Sequence, residues 1–165
     1  MKPQTATASK VIRASSDEIY RIIADYRNGH PHILPPKYFL SLHAEEGGFG
    51  EGTIVRFQMR LLGQTRSFRS RITEPEPGRT LLETDLISGA VTRFSVSPAN
   101  SQGRAEVSIS TELKGLGFVA GFVAKNMLQK VYREELDLLA RLAESQTAAS
   151  RAASAASPPA NQGAR

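Results

Sequence analysis

The feature that most constrains this chain is a run of short alternating segments between Phe39 and Leu113, with a long helical pattern directly behind it. "YFLSLHAEE" ends at "GGFGEG". "TIVRFQMRL" then places Val55, Phe57, Met59 and Leu61 on one side and Arg56, Gln58 and Arg60 on the other. "QTRSFRSRI" follows a tight Leu62-Gly63 turn, "EPEPG" separates it from "TLLETDLI", and "SGA" leads into "VTRFSVSP". "NSQG" precedes "AEVSISTEL", where Ala105, Val107, Ile109, Thr111 and Leu113 alternate with Glu106, Ser108 and Ser110. Period-two patterning punctuated by turns specifies an antiparallel meander, with one face buried and the other wet.

Aligning the apolar faces across the turns gives an expected register. Phe57 should lie opposite Phe68, Phe68 beside Leu86, and Leu86 beside Thr92. The inner face then carries Val55, Phe57, Met59, Phe68, Leu82, Leu86, Phe94, Val96, Val107 and Ile109, with no acid among them. On the wet face Arg56, Arg69, Asp85 and Arg93 form a row, and Arg71 pairs with Glu83. Cross-strand charge pairs contribute roughly 0.2–1 kcal/mol each, so the row is chiefly a register and solubility device. Its sharper reading is a docking surface for an acidic partner. Arg66 falls by parity on the inner face, where it must reach the rim, pair with an acid or meet a ligand.

Ahead of the meander, "TASKVIRA" reads as a strand and "SSDEIYRIIADY" as a short helix. Ser15 and Glu18 form a capping box, and Ile19, Ile22, Ile23 and Tyr26 make one apolar stripe. Behind it, a helix from about Gly117 to Glu144 would span about 40 Å. Its later part presents Leu128, Val131, Tyr132, Leu138, Leu139 and Leu142 against Lys130, Arg133, Asp137 and Arg141. In the earlier part, Leu116, Val119, Phe122 and Val123 project from the opposite side. That half is expected either to form a looser lid over the sheet or to expose an apolar patch. Residues 145–165 are Ala, Ser, Gln and Pro with nothing bulky to bury, so one domain over residues 1–144 followed by a disordered tail is expected.

Composition narrows the function. No cysteine is present, which removes disulfides and thiolate chemistry and suits a reducing compartment. No apolar run approaches the ~20 residues of a membrane span, and "MKPQTATASK" lacks the apolar core of a secretory signal. The chain reads as cytoplasmic, with no integral membrane segment. The net charge of +5 is spread along the chain without basic runs, and tryptophan is absent, so a nucleic-acid platform is not expected.

Two of the three histidines lie in "ADYRNGHPHILPPKYF". His30 and Leu34 precede prolines and are pushed toward extended backbone, so His30 and His32 should not converge on one metal. His43 is isolated on the next strand. The segment reads as a rigid connector, neither metal nor cofactor is implied, and no residue is assigned a catalytic role.

This order of elements resembles the helix-grip fold of the START/Bet v 1-like (SRPBCC) superfamily, and within it the polyketide cyclase/dehydrase-like group. The resemblance covers Thr7 to Glu144 and rests on "VIRASSDEIYRIIADY", "TEPEPGRTLLET" and "YREELDLLARL". It implies an α+β fold, with a seven-stranded antiparallel sheet wrapped around a long C-terminal helix and a cavity between them. Where many relatives carry tryptophans after the first helix, this chain has "GHPHILPP". The expected function is binding or carriage of a small hydrophobic molecule such as a lipid, isoprenoid or polyketide. Expected contacts are Phe57, Met59, Phe68, Phe94, Val123 and Met127, with Tyr26 and Arg66 as polar handles. The alternatives are a cyclase or dehydratase drawing on His30, His32, Tyr38 or Arg66 at the rim, or a chaperone-type interaction protein. A homo-oligomer is left open.

Overall fold

The alternation between Phe39 and Leu113 becomes six consecutive antiparallel strands in the structure, a computed structural model that describes residues 4–115 and 117–156. They are β2 (Phe39–Glu46), β3 (Ile54–Leu61), β4 (Gln64–Glu76), β5 (Thr80–Asp85), β6 (Val91–Val96) and β7 (Ala105–Leu113). The first strand, β1 (Gln4–Ile12), pairs with β7 and completes a seven-stranded sheet in the order β1-β7-β6-β5-β4-β3-β2. Helix α1 (Ser16–Ala24) follows β1, and α2 (Phe118–Ala156) lies along the sheet with its main contacts on β1.

Local chemistry explains the first helix. The Ser15 side chain accepts from the Glu18 amide, while the Glu18 carboxylate accepts from the Ser15 amide at 3.1 Å. Ile19, Ile22, Ile23 and Tyr26 are all buried. Their core partners include Ile12, Ile72, Leu81, Leu136 and Leu139, each fully buried and contributing about 1.5–3 kcal/mol by leaving water.

The expected register holds from β3 to β4, where Phe57 lies opposite Phe68 and the two rings stack at 5.1 Å. It fails at β5. The β4–β5 ladder shifts between Thr73 and Glu76, and beyond the shift Ile72 faces Glu83 and Ser70 faces Asp85. A one-residue slip turns every side chain to the other face. Leu86 is therefore 42% exposed instead of packing beside Phe68 and Thr92, while Leu81 takes the buried place expected for Leu82. Arg71 lies opposite Thr84 rather than pairing with Glu83, and Asp85 leaves the arginine row. Of that row, Arg56 and Arg69 are both bound by Glu45 on β2, each at 2.6 Å.

Of the two alternatives for the first half of α2 the structure shows the exposed patch, and the expected end of the helix changes. Helix α2 is continuous from Phe118 and forms no separate lobe; Val119, Phe122 and Val123 sit exposed on its outer side, and Leu116 lies outside the described residues. At the other end the helix runs past Glu144 to Ala156. Thr147 is buried there and its hydroxyl donates to Glu18 Oε2 at 3.1 Å, tying this extension to the cap of α1. The remainder of the expected tail, residues 157–165, lies outside the described residues. No helix among the described residues is long and apolar enough to cross a membrane.

Candidate ligand-binding site

Between the inner sheet face and α2 lies a cavity of about 470 Å³. Its wall is largely apolar: Phe39, Phe57, Met59, Phe68 and Phe94 come from the strands, Met127 and Leu128 from α2. Leu62, Gln64, Arg66 and Ala120 line its exposed end. The size lies within the ~300–1,000 Å³ typical of small-molecule sites.

The opposite end is buried and polar, which the sequence reading did not anticipate. The shifted β5 register turns Glu83 and Asp85 into the cavity, and α2 adds Tyr132 and Glu135. Tyr132 and Thr111 share a hydrogen bond of 2.5 Å, and Thr111 shares another of 2.8 Å with Thr92. Burial pushes the Tyr132 phenol up to about 12. Asp85 is opposed by burial, but hydrogen bonds from Ser88 and the Arg69 amide outweigh this and hold its carboxyl below the usual range.

His30 reaches this end by a route fixed in the connector. Gly29 and His30 both donate backbone N–H groups to the Asp25 carbonyl, at 3.0 and 2.6 Å. A Cβ on Gly29 would come within 2.6 Å of the Ile22 carbonyl oxygen, so the turn requires glycine. The chain then enters a 3₁₀ turn, His30–Ile33, in place of the extended path expected from Pro31. His30 is consequently buried against Tyr26, their rings stacked at 4.4 Å, and its edge meets Phe94 at 5.6 Å. Its Nδ1 lies 2.7 Å from the Ile23 carbonyl, which can only accept, so Nδ1 carries the proton. Burial pulls the imidazole pKa below its ordinary value, with Glu83 and the Ile23 carbonyl opposing. In neutral His30, Nε2 is an unprotonated acceptor, 3.6 Å from Glu83 Oε1.

Glu83 Oε1 accepts the Tyr26 hydroxyl hydrogen at 2.6 Å. Glu135 is only 2% exposed, and its Oε1 has no hydrogen-bond partner among the described residues. Burial, reinforced by the Glu83 charge, pushes its carboxyl well above the ordinary carboxylate range. Among the described residues no three His, Asp or Glu side chains come together as a metal-ligand set.

The cavity thus brings together Phe57, Met59, Arg66, Phe68, Phe94 and Met127. It does not include Val123, which points outward while Ala120, Ala124 and Met127 line the wall. Tyr26 stands behind His30 and reaches the cavity through its stack on His30 and its hydrogen bond to Glu83. His30 lines the buried end, not the rim; His32 is exposed, and Tyr38 is turned toward Glu134 outside the cavity. Glu135 was legible in principle: it stands four residues after Val131 and four before Leu139, an acid inside an apolar helical stripe.

An antiparallel sheet closed over a terminal helix around an apolar hollow is the helix-grip architecture. The chain belongs to the polyketide cyclase/dehydrase and lipid transport family, whose model matches residues 3–144. It is similar to the KanY protein, known from a solution structure, at 26% identity over 87% of this chain and 99% of that one, with a TM-score of 0.77. A START superfamily protein from Mycobacterium smegmatis shares 15% identity over 86% of this chain and 98% of its own, with a TM-score of 0.69. The Zhui aromatase/cyclase from a Streptomyces species shares 17% over 88% and 96%, with a TM-score of 0.67. No curated protein matched the chain.

Proposed function

We propose that the protein binds a small, mostly apolar molecule in the cavity between sheet and α2, as a binding or carrier protein. The observation that carries this reading is the hollow itself, about 470 Å³ walled by Phe39, Phe57, Met59, Phe68, Phe94 and Met127. A solid core would close such a space, because native interiors are packed to crystal-like density. Membership in a family described by polyketide cyclisation and lipid transport supports the same class of guest. Native mass spectrometry of the purified protein tests it: a retained small molecule, lost on denaturation and excluded by Phe68→Trp, is the expected result. A chain that carries nothing and takes up no apolar probe would overturn the reading.

A second reading, an enzyme of cyclase or dehydratase type, is favoured by the convergence of His30, Glu83 and Glu135 at the buried end. Burial pulls the His30 pKa down and pushes the Glu135 pKa up, which sets a base beside an acid as paired acid and base work requires. The aromatase/cyclase neighbour supports the reading at the level of fold. Turnover of a poly-β-keto test substrate, abolished by His30→Ala while the guest still binds, separates enzyme from carrier.

A further inference from the structure

The buried end of the cavity is unbalanced in its hydrogen-bonding chemistry. Glu83 has one oxygen already engaged by the Tyr26 hydroxyl. Glu135 is nine-tenths and more buried, with an oxygen that no group among the described residues satisfies. His30, its Nδ1 committed to the Ile23 carbonyl, offers Nε2 as an acceptor. The nearby hydroxyls of Thr92, Thr111 and Tyr132 are linked to one another, and that of Tyr26 is spent on Glu83. The one arginine among the described residues that line the cavity, Arg66, is exposed at the far end and bonded to Gln64 at 3.4 Å. A protein of net charge +5 has therefore built an acidic corner at the bottom of an apolar hollow.

We infer that the guest is a hydrophobic amine, held with its protonated nitrogen at Glu83, Glu135 and His30 Nε2 and its apolar body along Phe57, Phe68 and Phe94. The inference rests on the cavity being a ligand site, as proposed above. An alkylammonium group has up to three donors and no acceptor; beside Glu83 and His30 Nε2 it finds two acceptors, and its charge lets Glu135 release its proton to become the third. It also supplies the counter-charge that a buried carboxylate requires. A carboxylate head placed in the same corner would meet Glu83 and no cation among the described residues, so a fatty acid is disfavoured in this orientation.

Isothermal titration of the full chain with decylamine, decanol and decanoate at pH 7 tests this. The expected order is decylamine at least tenfold tighter than decanol, with decanoate weakest. Glu135→Gln should bring decylamine down to the affinity of decanol. Glu83→Gln, read in the same way, serves if the first variant does not fold. Equal affinity for amine and alcohol, or a preference that survives both substitutions, would overturn the inference while leaving the cavity as a ligand site. Binding of none of the three probes would overturn both.

Discussion

Tyr26 and Glu83, fifty-seven positions apart, are joined by a hydrogen bond of 2.6 Å from the phenol to the carboxylate, and that bond couples the end of α1 to the cavity floor. The phenol lies at the end of the Ile19–Ile22–Ile23 stripe, so the face that anchors α1 in the core also delivers the donor. Burial and the adjacent carboxylate together push the Tyr26 pKa well above its ordinary value, so the phenol stays a donor across the working pH range. Tyr26→Phe deletes this donor and leaves the apolar packing in place. Hydrogen bonds to charged groups contribute about 1.5–3 kcal/mol, and a loss of that order in urea unfolding is the expected result. Tyr26→Phe combined with Glu83→Gln should cost less than the sum of the single changes, because the two share one interaction.

His30 makes stability depend on pH in a definite direction. In the unfolded chain the imidazole titrates near 6.5, and in the folded protein burial holds it lower. Between these two values the unfolded chain binds the extra proton. The contribution of neutral His30 is therefore complete above pH 6.5 and lost as the pH falls toward the folded value. Melting temperature should drop as the pH falls below 6.5, and His30→Gln should flatten that part of the profile. An identical slope in the variant would contradict the assignment.

Glu135 acts in the opposite sense. Its folded pKa is raised well above the ordinary 4.5, so the folded chain holds the extra proton as the pH rises. The penalty for burying this group's charge is absent below 4.5 and grows with pH until the folded pKa is passed. Glu135→Leu, close in volume and without polar atoms, should stabilise the protein at pH 8. The gain expected from removing one unsatisfied buried group is about 1–3 kcal/mol. The gain should shrink toward pH 4, where only the cost of the unsatisfied neutral carboxyl remains. A variant less stable than the parent at pH 8 would show that Glu135 is satisfied in solution.

These groups also mark where sequence reasoning stopped. The meander was legible because β3 and β7 alternate without interruption, and α1 because Ser15 and Glu18 specify its first turn. The polar floor was hidden by two adjacent leucines. Leu81 and Leu82 offer an apolar residue to the inner face under either parity, and Leu86 tips the choice the wrong way. The bulge between Thr73 and Glu76 decides the matter, and one extra residue leaves no mark in an alternating pattern. His30 was hidden differently. Its direction depends on the Asp25 carbonyl, which gathers two amides, and on contact with Phe94 far along the chain, neither of which is a local preference.

The extension of α2 past Glu144 has a checkable consequence. Thr147 contacts the Glu18 carboxylate that caps α1, and hydrogen bonds from Ser15 help hold that carboxyl below its usual pKa. Ending the chain at Glu144 removes the Thr147 contact and the last turns of packing. A loss of about 1 kcal/mol in denaturant unfolding is expected from a cap contact of this kind. No change would mean that the helix beyond Glu144 does not contribute to the fold.

Gly29 offers the sharpest test of how the floor is assembled. Its φ of −102° is one that alanine adopts freely, so any cost of Gly29→Ala is steric rather than conformational. The new methyl would lie 2.6 Å from the Ile22 carbonyl oxygen and 3.1 Å from the Ile22 Cα, both backbone atoms with α1 behind them. The turn, not the helix, must move, and the group it carries is His30. Overpacking of this kind costs about 1–3 kcal/mol. Gly117→Ala is the matched control: a Cβ there meets nothing within 4 Å, and the change should be neutral or stabilising by about 0.4–1 kcal/mol. The Gly29 variant should also weaken capture of the apolar guest, because shifting His30 disturbs its stack on Tyr26 and its approach to Glu83. A Gly29→Ala protein as stable as the Gly117→Ala protein would show that the turn tolerates the extra carbon and that His30 is not held where the structure puts it.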